Sequence, residues 1–165
     1  MLSLARVTRA LGLRSGLALL GVAMAGSAAT ASASEAASCD GASSGARVLT
    51  RVTGMASAKG NITVTLYPDD KDRFLASRGK LARRRVPVAL PMTEACFAVP
   101  PGRYAIAVYH DANDDHDFNR KLTGLPAEGY GFSNNPVTRF GLPPLKDVRF
   151  EAAAGEQPVY IKLSY

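Results

Sequence analysis

Alternation of apolar and polar residues with a period of two is the feature that most constrains the fold of this chain. It is clearest where Ile62, Val64 and Leu66 alternate with polar residues. Because successive side chains of a strand point to opposite faces, this pattern predicts a strand with one dry face. Similar alternation recurs at residues 47–52, 94–99, 148–151 and 159–165.

Two further segments predict strands in special positions. Residues 104–109 are apolar on both faces, as expected of a central strand. Residues 86–90 alternate around Pro87, which cannot donate to a ladder, so they predict an edge strand. These segments together predict an all-β chain, an antiparallel β-sandwich of about seven strands that is immunoglobulin-like or transthyretin-like. The predicted core consists of Ile62, Val64, Leu66, Tyr104, Ile106, Val108, Val148, Phe150, Ile161 and Leu163.

The segment 69–85 lacks this alternation. Asp72 is suited to cap one or two helical turns, which Gly79 would end. Its basic run at residues 78–85 predicts a solvated loop, with a phosphate or membrane contact as the alternative.

Residues 1–33 have the three-part composition of a secretory signal peptide. Arg6, Arg9 and Arg14 precede the apolar run 17–25, and small residues suited to cleavage follow. The alternative is an amphipathic helix or a retained anchor, although the run is shorter than the ~20 residues of a spanning helix. We therefore expect a cleaved signal peptide at 1–33, a flexible lead at 34–45 and one β-sandwich domain at 46–165, located in the periplasm or secreted.

The charge of the chain limits the kinds of partner. Cleavage would remove three of the twenty basic residues and none of the fourteen acidic ones, which leaves a small positive excess. The basic residues are not gathered on an aromatic-rich platform, so nucleic acid is not expected as a partner. The mature chain predicts no transmembrane segment. We expect a protein or a small molecule of the cell envelope as the partner.

Cys39 and Cys96 both lie beyond the predicted cleavage site. In an exported chain, two cysteines predict a disulfide, with two independent free thiols as the alternative. Neither cysteine has a further cysteine or histidine at metal-ligand spacing.

The acidic loop at 111–119 is the strongest candidate for a metal site. Asp111, Asn113, Asp115 and Asp117 offer oxygen atoms at alternate positions, which is an arrangement that suits calcium. It is not an EF-hand, because His116 and Leu122 stand where that motif has glycine and glutamate. The alternative is a solvated turn, in which Asp and Asn side chains bond their own backbone.

The long loop that follows, at 122–136, is rich in glycine and aromatic residues. Tyr130, Phe132 and Asn134 could form a recognition surface or a hydrophobic plug at one end of the sandwich. With His110 and Glu128 they make up the predicted binding residues.

Catalytic signatures are scarce in the sequence. The leading hypothesis is a non-enzymatic module that binds a ligand or partner through the 111–135 region. A rival hypothesis is a small periplasmic enzyme that uses His110 with Asp111, Asp117 or Glu128 as acid and base. A third is a purely structural envelope protein, which predicts no pocket. His110 and His116, six residues apart, could hold a transition metal or be solvated loop residues.

Two motifs carry a resemblance to a known family. They are Tyr-Ala-Ile-Ala-Val-Tyr-His-Asp at 104–111 and Glu-Gly-Tyr-Gly-Phe-Ser-Asn at 128–134. With residues 61–67, they resemble the bacterial domain-of-unknown-function family numbered 2141, over about 48–163. The resemblance implies an exported protein without an assigned activity. The family has Asn-Gly-Lys where this chain has Asp114, Asp115 and His116, so the loop differs in its turn glycine and carries added carboxylates.

Overall fold

The computed structural model describes Cys39 and residues 45–138 and 141–165. The predicted signal peptide at 1–33 and the predicted lead at 34–45, apart from Cys39 and Gly45, lie outside the described residues. No helix within this described part is long and apolar enough to cross a membrane.

The described residues form two β-sheets and one short helix. The elements are β1 (Ala46–Thr53), β2 (Asn61–Pro68), β3 (Ala82–Pro87), β4 (Met92–Val99), β5 (Gly102–Asp111), β6 (Tyr130–Phe132), α1 (Leu145–Val148), β7 (Phe150–Ala152) and β8 (Gly155–Lys162). In the three-stranded sheet, β1 lies between β4 and β8. In the five-stranded sheet, β2 and β5 are central, β3 lies outside β2, and β6 and β7 both pair with β5.

The predicted all-β sandwich is confirmed, and the structure has eight strands where about seven were expected. The strand pairs are antiparallel except β1 with β8, which run parallel in register from Ala46 opposite Gly155. A parallel pair needs a long connection, and these two strands lie far apart in the chain. The three-stranded sheet is therefore mixed.

The main core lies between the two sheets. One face of every long strand except β3 contributes fully buried apolar side chains to it, such as Val48, Ile62, Phe97, Ile106 and Ile161. The alternation seen in the sequence therefore places the two inner faces together, and burial of this apolar surface is the main stabilising contribution to the fold.

The outer face of the five-stranded sheet carries a second apolar cluster. Tyr67, Ala105 and Phe132 lie on it, and Val148 of α1 packs against them. Phe74 adds an edge-on ring contact to Tyr67, with the ring centroids 5.5 Å apart. Because of this cover, β2 and β5 are buried on both faces along much of their length.

Nine of the ten predicted core residues are buried, and Phe150 is partly buried. The predicted strand at 148–151 is wrong at its start, because Val148 belongs to α1 and β7 begins at Phe150. Pro144 precedes α1, and a proline at this point favours a helix start.

Two predictions for the segment 69–85 are wrong. The predicted cap is provided by Asp70 and not by Asp72: the Asp70 carbonyl accepts the N–H of Phe74 (2.9 Å), and its Oδ1 accepts the N–H of Asp72 (2.9 Å). The basic run is not all loop, because Arg83, Arg84 and Arg85 belong to β3. An edge strand tolerates charged side chains, since one of its edges has no partner strand.

The predicted disulfide between Cys39 and Cys96 is confirmed, and it spans a sequence separation of 57 residues. Cys96 is fully buried on β4, next to Leu49 of β1 in the ladder. The bond therefore fixes the segment before β1 to the edge of the three-stranded sheet.

Removing this cross-link is expected to destabilise the protein. Cys39→Ser should lower the free energy of unfolding by about 4 kcal/mol, the chain-entropy value for a loop of this length. Equilibrium urea unfolding measures the change. After reduction, verified by thiol alkylation, the wild type should match Cys39→Ser, and the variant should not respond. A wild-type stability that is unchanged after complete reduction would contradict the prediction.

Candidate functional site

The end of β5 places two neighbouring buried residues on opposite faces of the sheet. His110 follows the inward positions of Ile106 and Val108, and Asp111 follows the outward positions. Their exposed fractions are 1% and 0%. Buried polar side chains need hydrogen-bond partners, so neighbouring segments must supply them for both residues.

His110 has partners at both ring nitrogens. Nε2 lies 2.8 Å from the carbonyl oxygen of Lys59, and Nδ1 lies 2.5 Å from the hydroxyl of Tyr165. A carbonyl can only accept, so Nε2 donates to Lys59. The Tyr165 hydroxyl also accepts the N–H of Ala56 (2.9 Å). His110 therefore ties together three segments at this end of the sandwich.

This arrangement bears on the predicted acid–base pair. No hydrogen bond joins His110 to Glu128 among the described residues, and both ring nitrogens of His110 are engaged elsewhere. His116 is half exposed, with Nε2 3.3 Å from Asp114. The ring of His110 thus bonds to partners other than the carboxylates that the enzyme hypothesis names.

Asp111 organises the acidic loop through its carboxylate. Its Oδ1 accepts the N–H of Asp115 (3.1 Å), and its Oδ2 accepts the N–H of His116 (3.0 Å). His116 and Asp114 have φ angles of 70° and 59°, in the left-handed region that favours glycine. Side chain to backbone bonds of this kind hold a tight turn without regular structure.

Asp115 extends this network. Its Oδ1 accepts the N–H of Asp117 (2.9 Å), and its Oδ2 accepts the side-chain amides of Asn119 (2.6 Å) and Asn113 (2.7 Å). These bonds, that from Asn119 first, lower the pKa of Asp115. The charged form of Asp115 is therefore the form that the loop stabilises.

Three carboxylates converge beside this loop, and we call Asp111, Asp115 and Glu128 the acidic cluster. Each offers an oxygen atom that lies within 4.8 Å of the other two. Two of the four predicted calcium ligands thus come together with Glu128, which the sequence indicated only as a binding residue. Asn113 and Asp117 contact Asp115 in the same loop.

Glu128 is a buried member of the acidic cluster. Its Oε2 accepts the N–H of Asn119 (3.1 Å). Burial raises the pKa of Glu128, and the charges of Asp111 and Asp115 add to that effect, whereas the bond from Asn119 opposes it. Ionised Glu128 is thus destabilising in the folded protein.

A cleft lies on the outer face of the five-stranded sheet, next to the acidic loop. Its floor follows one cross-strand row, in which Arg83 pairs with Thr65, Thr65 with Ala107 and Ala107 with Phe132. The row has short side chains in its middle, and a cavity of about 220 Å³ lies over them. We call this cavity the aromatic cleft.

Aromatic rings form the walls of the aromatic cleft. Phe118 lies between Tyr109 and Tyr130, with ring centroids 5.6 and 6.1 Å away, and Tyr130 contacts Phe132 at 6.0 Å. Arg120 lines the same cavity, and its guanidinium lies 5.2 Å from the centre of the Phe118 ring. The walls are thus mostly apolar, with cations at the rim.

Backbone hydrogen bonds hold the wall that comes from the long loop. The N–H of Ala127 donates to Asn119 (2.9 Å), and that of Lys121 donates to Leu125 (2.8 Å), which makes a small hairpin. The carbonyl of His116 accepts the Tyr109 hydroxyl (3.1 Å). Phe118 and Arg120 therefore stand on an ordered segment.

The predicted binding residues are divided among four places. Tyr130 and Phe132 line the aromatic cleft, and Glu128 belongs to the acidic cluster. Asn134 instead donates to the carbonyl of Arg149 (2.9 Å), and His110 lies on the inner face. Phe132 is nearly fully buried, whereas Tyr130 is partly exposed.

Several cleft residues were missed in the sequence, namely Thr65, Arg83, Ala107, Tyr109, Phe118 and Arg120. The one local signal was the pair of small residues at Ala105 and Ala107, which leaves space on one face of a central strand. A second cavity of about 560 Å³ lies beside the hairpin and shares Tyr130 and Arg120.

A comparison with protein families gives one match. The model of a family described as "Uncharacterized protein conserved in bacteria (DUF2141)" matches residues 50–160, which include all strands of the five-stranded sheet. No curated protein and no solved structure gives a significant match.

The acidic cluster predicts a pH-dependent change in stability. Glu128→Gln should raise the melting temperature at pH 7, because it removes a charge whose pKa is raised by folding. The gain should vanish below about pH 4, where the wild-type carboxyl is protonated in both the folded and the unfolded state.

Asp115→Asn is the matched control, with the opposite sign. Because folding lowers the pKa of Asp115, its charge stabilises the fold, and this contribution is lost as the pH falls. The variant should melt below the wild type at pH 7 and approach it at low pH. If both variants change the melting temperature in the same direction at pH 7, the opposite effects assigned to the Glu128 and Asp115 charges are wrong.

Proposed function

The chain belongs to the DUF2141 family of bacterial proteins, and from that starting point we propose that it is an exported module that binds a small ligand in the aromatic cleft. The disulfide supports the exported location, because such bonds persist in oxidising compartments. The signal peptide predicted at 1–33 is part of this proposal. Periplasmic and secreted locations both fit it.

The aromatic cleft is the observation that carries the proposal. Its floor lies on a sheet face that is otherwise covered by Phe74 and α1, so the opening is a local interruption of the packing. Ligand sites are concave, mostly apolar and provided with a few polar groups. A cleft on a sheet face, lined by five aromatic side chains and two arginines, fits that description.

The alternative functions have less support. A purely structural envelope protein has no need of an open, aromatic-lined cavity. The acid–base hypothesis pairs His110 with Asp111, Asp117 or Glu128, whereas both ring nitrogens of His110 bond to Lys59 and Tyr165. Binding is therefore the function that the geometry supports best.

Filling the aromatic cleft should abolish ligand binding and leave the fold intact. Ala107→Leu adds three carbon atoms at the middle of the floor, where Ala107 is partly exposed. We expect single-ring compounds such as benzyl alcohol and benzoate to shift the NMR resonances of Tyr109 and Tyr130 in the wild type. The affinity of the variant for these compounds should be at least tenfold lower.

Ala98→Leu is the control, since Ala98 is a partly exposed alanine on β4 of the other sheet. It should bind like the wild type. The proposal is wrong if none of these compounds perturbs the cleft residues of the wild type, or if Ala107→Leu binds them equally well.

We also propose that calcium stabilises the acidic loop. The support is the approach of three carboxylate oxygens to within 4.8 Å of one another, two of them from buried residues. Calcium takes six to eight oxygen ligands, and Asn113 and Asp117 of the same loop remain the predicted further donors. The competing explanation is a turn held only by the bonds of Asp111 and Asp115.

Thermal melting with and without calcium tests this second proposal. A saturating ion stabilises by mass action, about 2.7 kcal/mol at a hundredfold excess over the dissociation constant. The wild type should melt higher in millimolar calcium than in chelator, and Glu128→Gln should lose that difference. Asp72→Asn, an exposed carboxylate beside Lys71, should keep it. A wild type that melts at the same temperature in both buffers leaves only the hydrogen-bonded turn.

A further inference from the structure

The rim of the aromatic cleft carries two guanidinium groups, those of Arg83 and Arg120. Arg83 Nε donates to Thr65 Oγ1 (3.0 Å), and Arg83 also bonds to Tyr67. Arg120 Nη1 donates to the carbonyl of Gly124 (3.1 Å). Arginine has five N–H groups, so both have further donors. Neither arginine has a carboxylate partner among the described residues, whereas Arg47, Arg51, Arg103 and Arg149 do.

The lining of the aromatic cleft is also one-sided in charge. Within the described part of the chain, no aspartate or glutamate lines it. The acidic cluster lies on the neighbouring loop, where Asp115 and Glu128 accept hydrogen bonds from Asn119. A cavity with cations and no anions favours a ligand that brings the negative charge itself.

Arg83 is placed to act on a ligand because β3 and β2 fix it. It lies at the end of the cross-strand row that forms the floor. Burial raises the pKa of Tyr67, and the charge and hydrogen bond of the nearby Arg83 oppose that rise. Arg83 is itself exposed, so its N–H groups are accessible to a ligand, and its contact with Tyr67 directs the guanidinium toward the cleft.

The size of the cavity limits the apolar part of the ligand. A protein cavity of about 150 Å³ holds one benzene molecule. The aromatic cleft, at about 220 Å³, exceeds this by roughly the share of two water molecules in the liquid. A single ring with one small substituent therefore matches the aromatic cleft in size.

We infer that the aromatic cleft binds a monocyclic aromatic carboxylate, whose ring contacts Tyr109, Tyr130 and Phe132 and whose carboxylate is bound by Arg83 and Arg120. This inference rests on the proposed function and adds the ligand class. Aromatic walls suit the ring through edge and offset contacts. Guanidinium groups suit the carboxylate, because their planar N–H pairs match its two oxygens.

Three probes separate the two parts of the ligand. Benzoate has both ring and charge, benzamide has the ring and a neutral group of the same size, and acetate has the charge alone. Affinities come from NMR titrations that follow the cleft residues at low ionic strength. We expect benzoate to bind at least tenfold more tightly than benzamide, and acetate to bind more weakly than either.

Arginine variants identify the source of that preference. Arg83→Gln and Arg120→Gln should each reduce benzoate affinity severalfold and leave benzamide affinity unchanged. Arg78→Gln is the matched control, because it removes the same charge from an exposed loop position, and it should keep the wild-type preference. Added salt should weaken benzoate and not benzamide.

The outcomes distinguish the inference from the function beneath it. If benzoate and benzamide bind equally and Ala107→Leu loses both, the cleft is a ligand site and the inference on charge is wrong. If acetate binds as tightly as benzoate, the ring has no role and the inference is also wrong. If no ring compound binds the wild type, the proposed function fails with it.

Discussion

The pairing of β5 with β2 is the interaction on which the rest of the structure depends. It runs in register from Tyr104 to Asp111 and occupies most of one edge of β5. The other edge is therefore shared by β6 and β7, which brings the long loop back to the sheet. A slip of one residue would exchange the two faces of β5, and with them the core and the cleft.

The inner half of this arrangement could be predicted from the sequence. Ile62, Val64 and Leu66 show their buried face by local alternation, and burial of apolar side chains requires nothing more than that pattern. The strand β3 was not predicted at Arg83 to Arg85. An edge strand and a solvated loop both expose charged side chains, so the charges could not distinguish them. Val148 and Phe150 alternate with polar residues, which predicted one strand. Val148 instead ends the single turn of α1, and its burial comes from that helix.

The candidate site was predictable only where its residues are close in the sequence. Tyr130 and Phe132 lie in one glycine-rich, aromatic segment, and this composition indicated both, although it predicted a loop where the structure has β6. The floor instead joins Arg83, Thr65 and Ala107 through the registers of three strands, and register is set by pairing across the whole sheet. Glu128 was separated from the metal ligands for the same reason, because the hairpin that returns it to Asp111 leaves no local pattern.

Asn119 joins the acidic cluster to the aromatic cleft. Its side-chain amide donates to Asp115 (2.6 Å), and its N–H donates to Glu128 (3.1 Å). Its two chain neighbours, Phe118 and Arg120, both line the cleft. Because side-chain hydrogen bonds to charged acceptors are stronger than those to neutral ones, the charges of the cluster help to set the position of this segment. The acidic cluster thus has a role in the cleft whether or not an ion binds to it: it holds the wall that carries one of the two arginines.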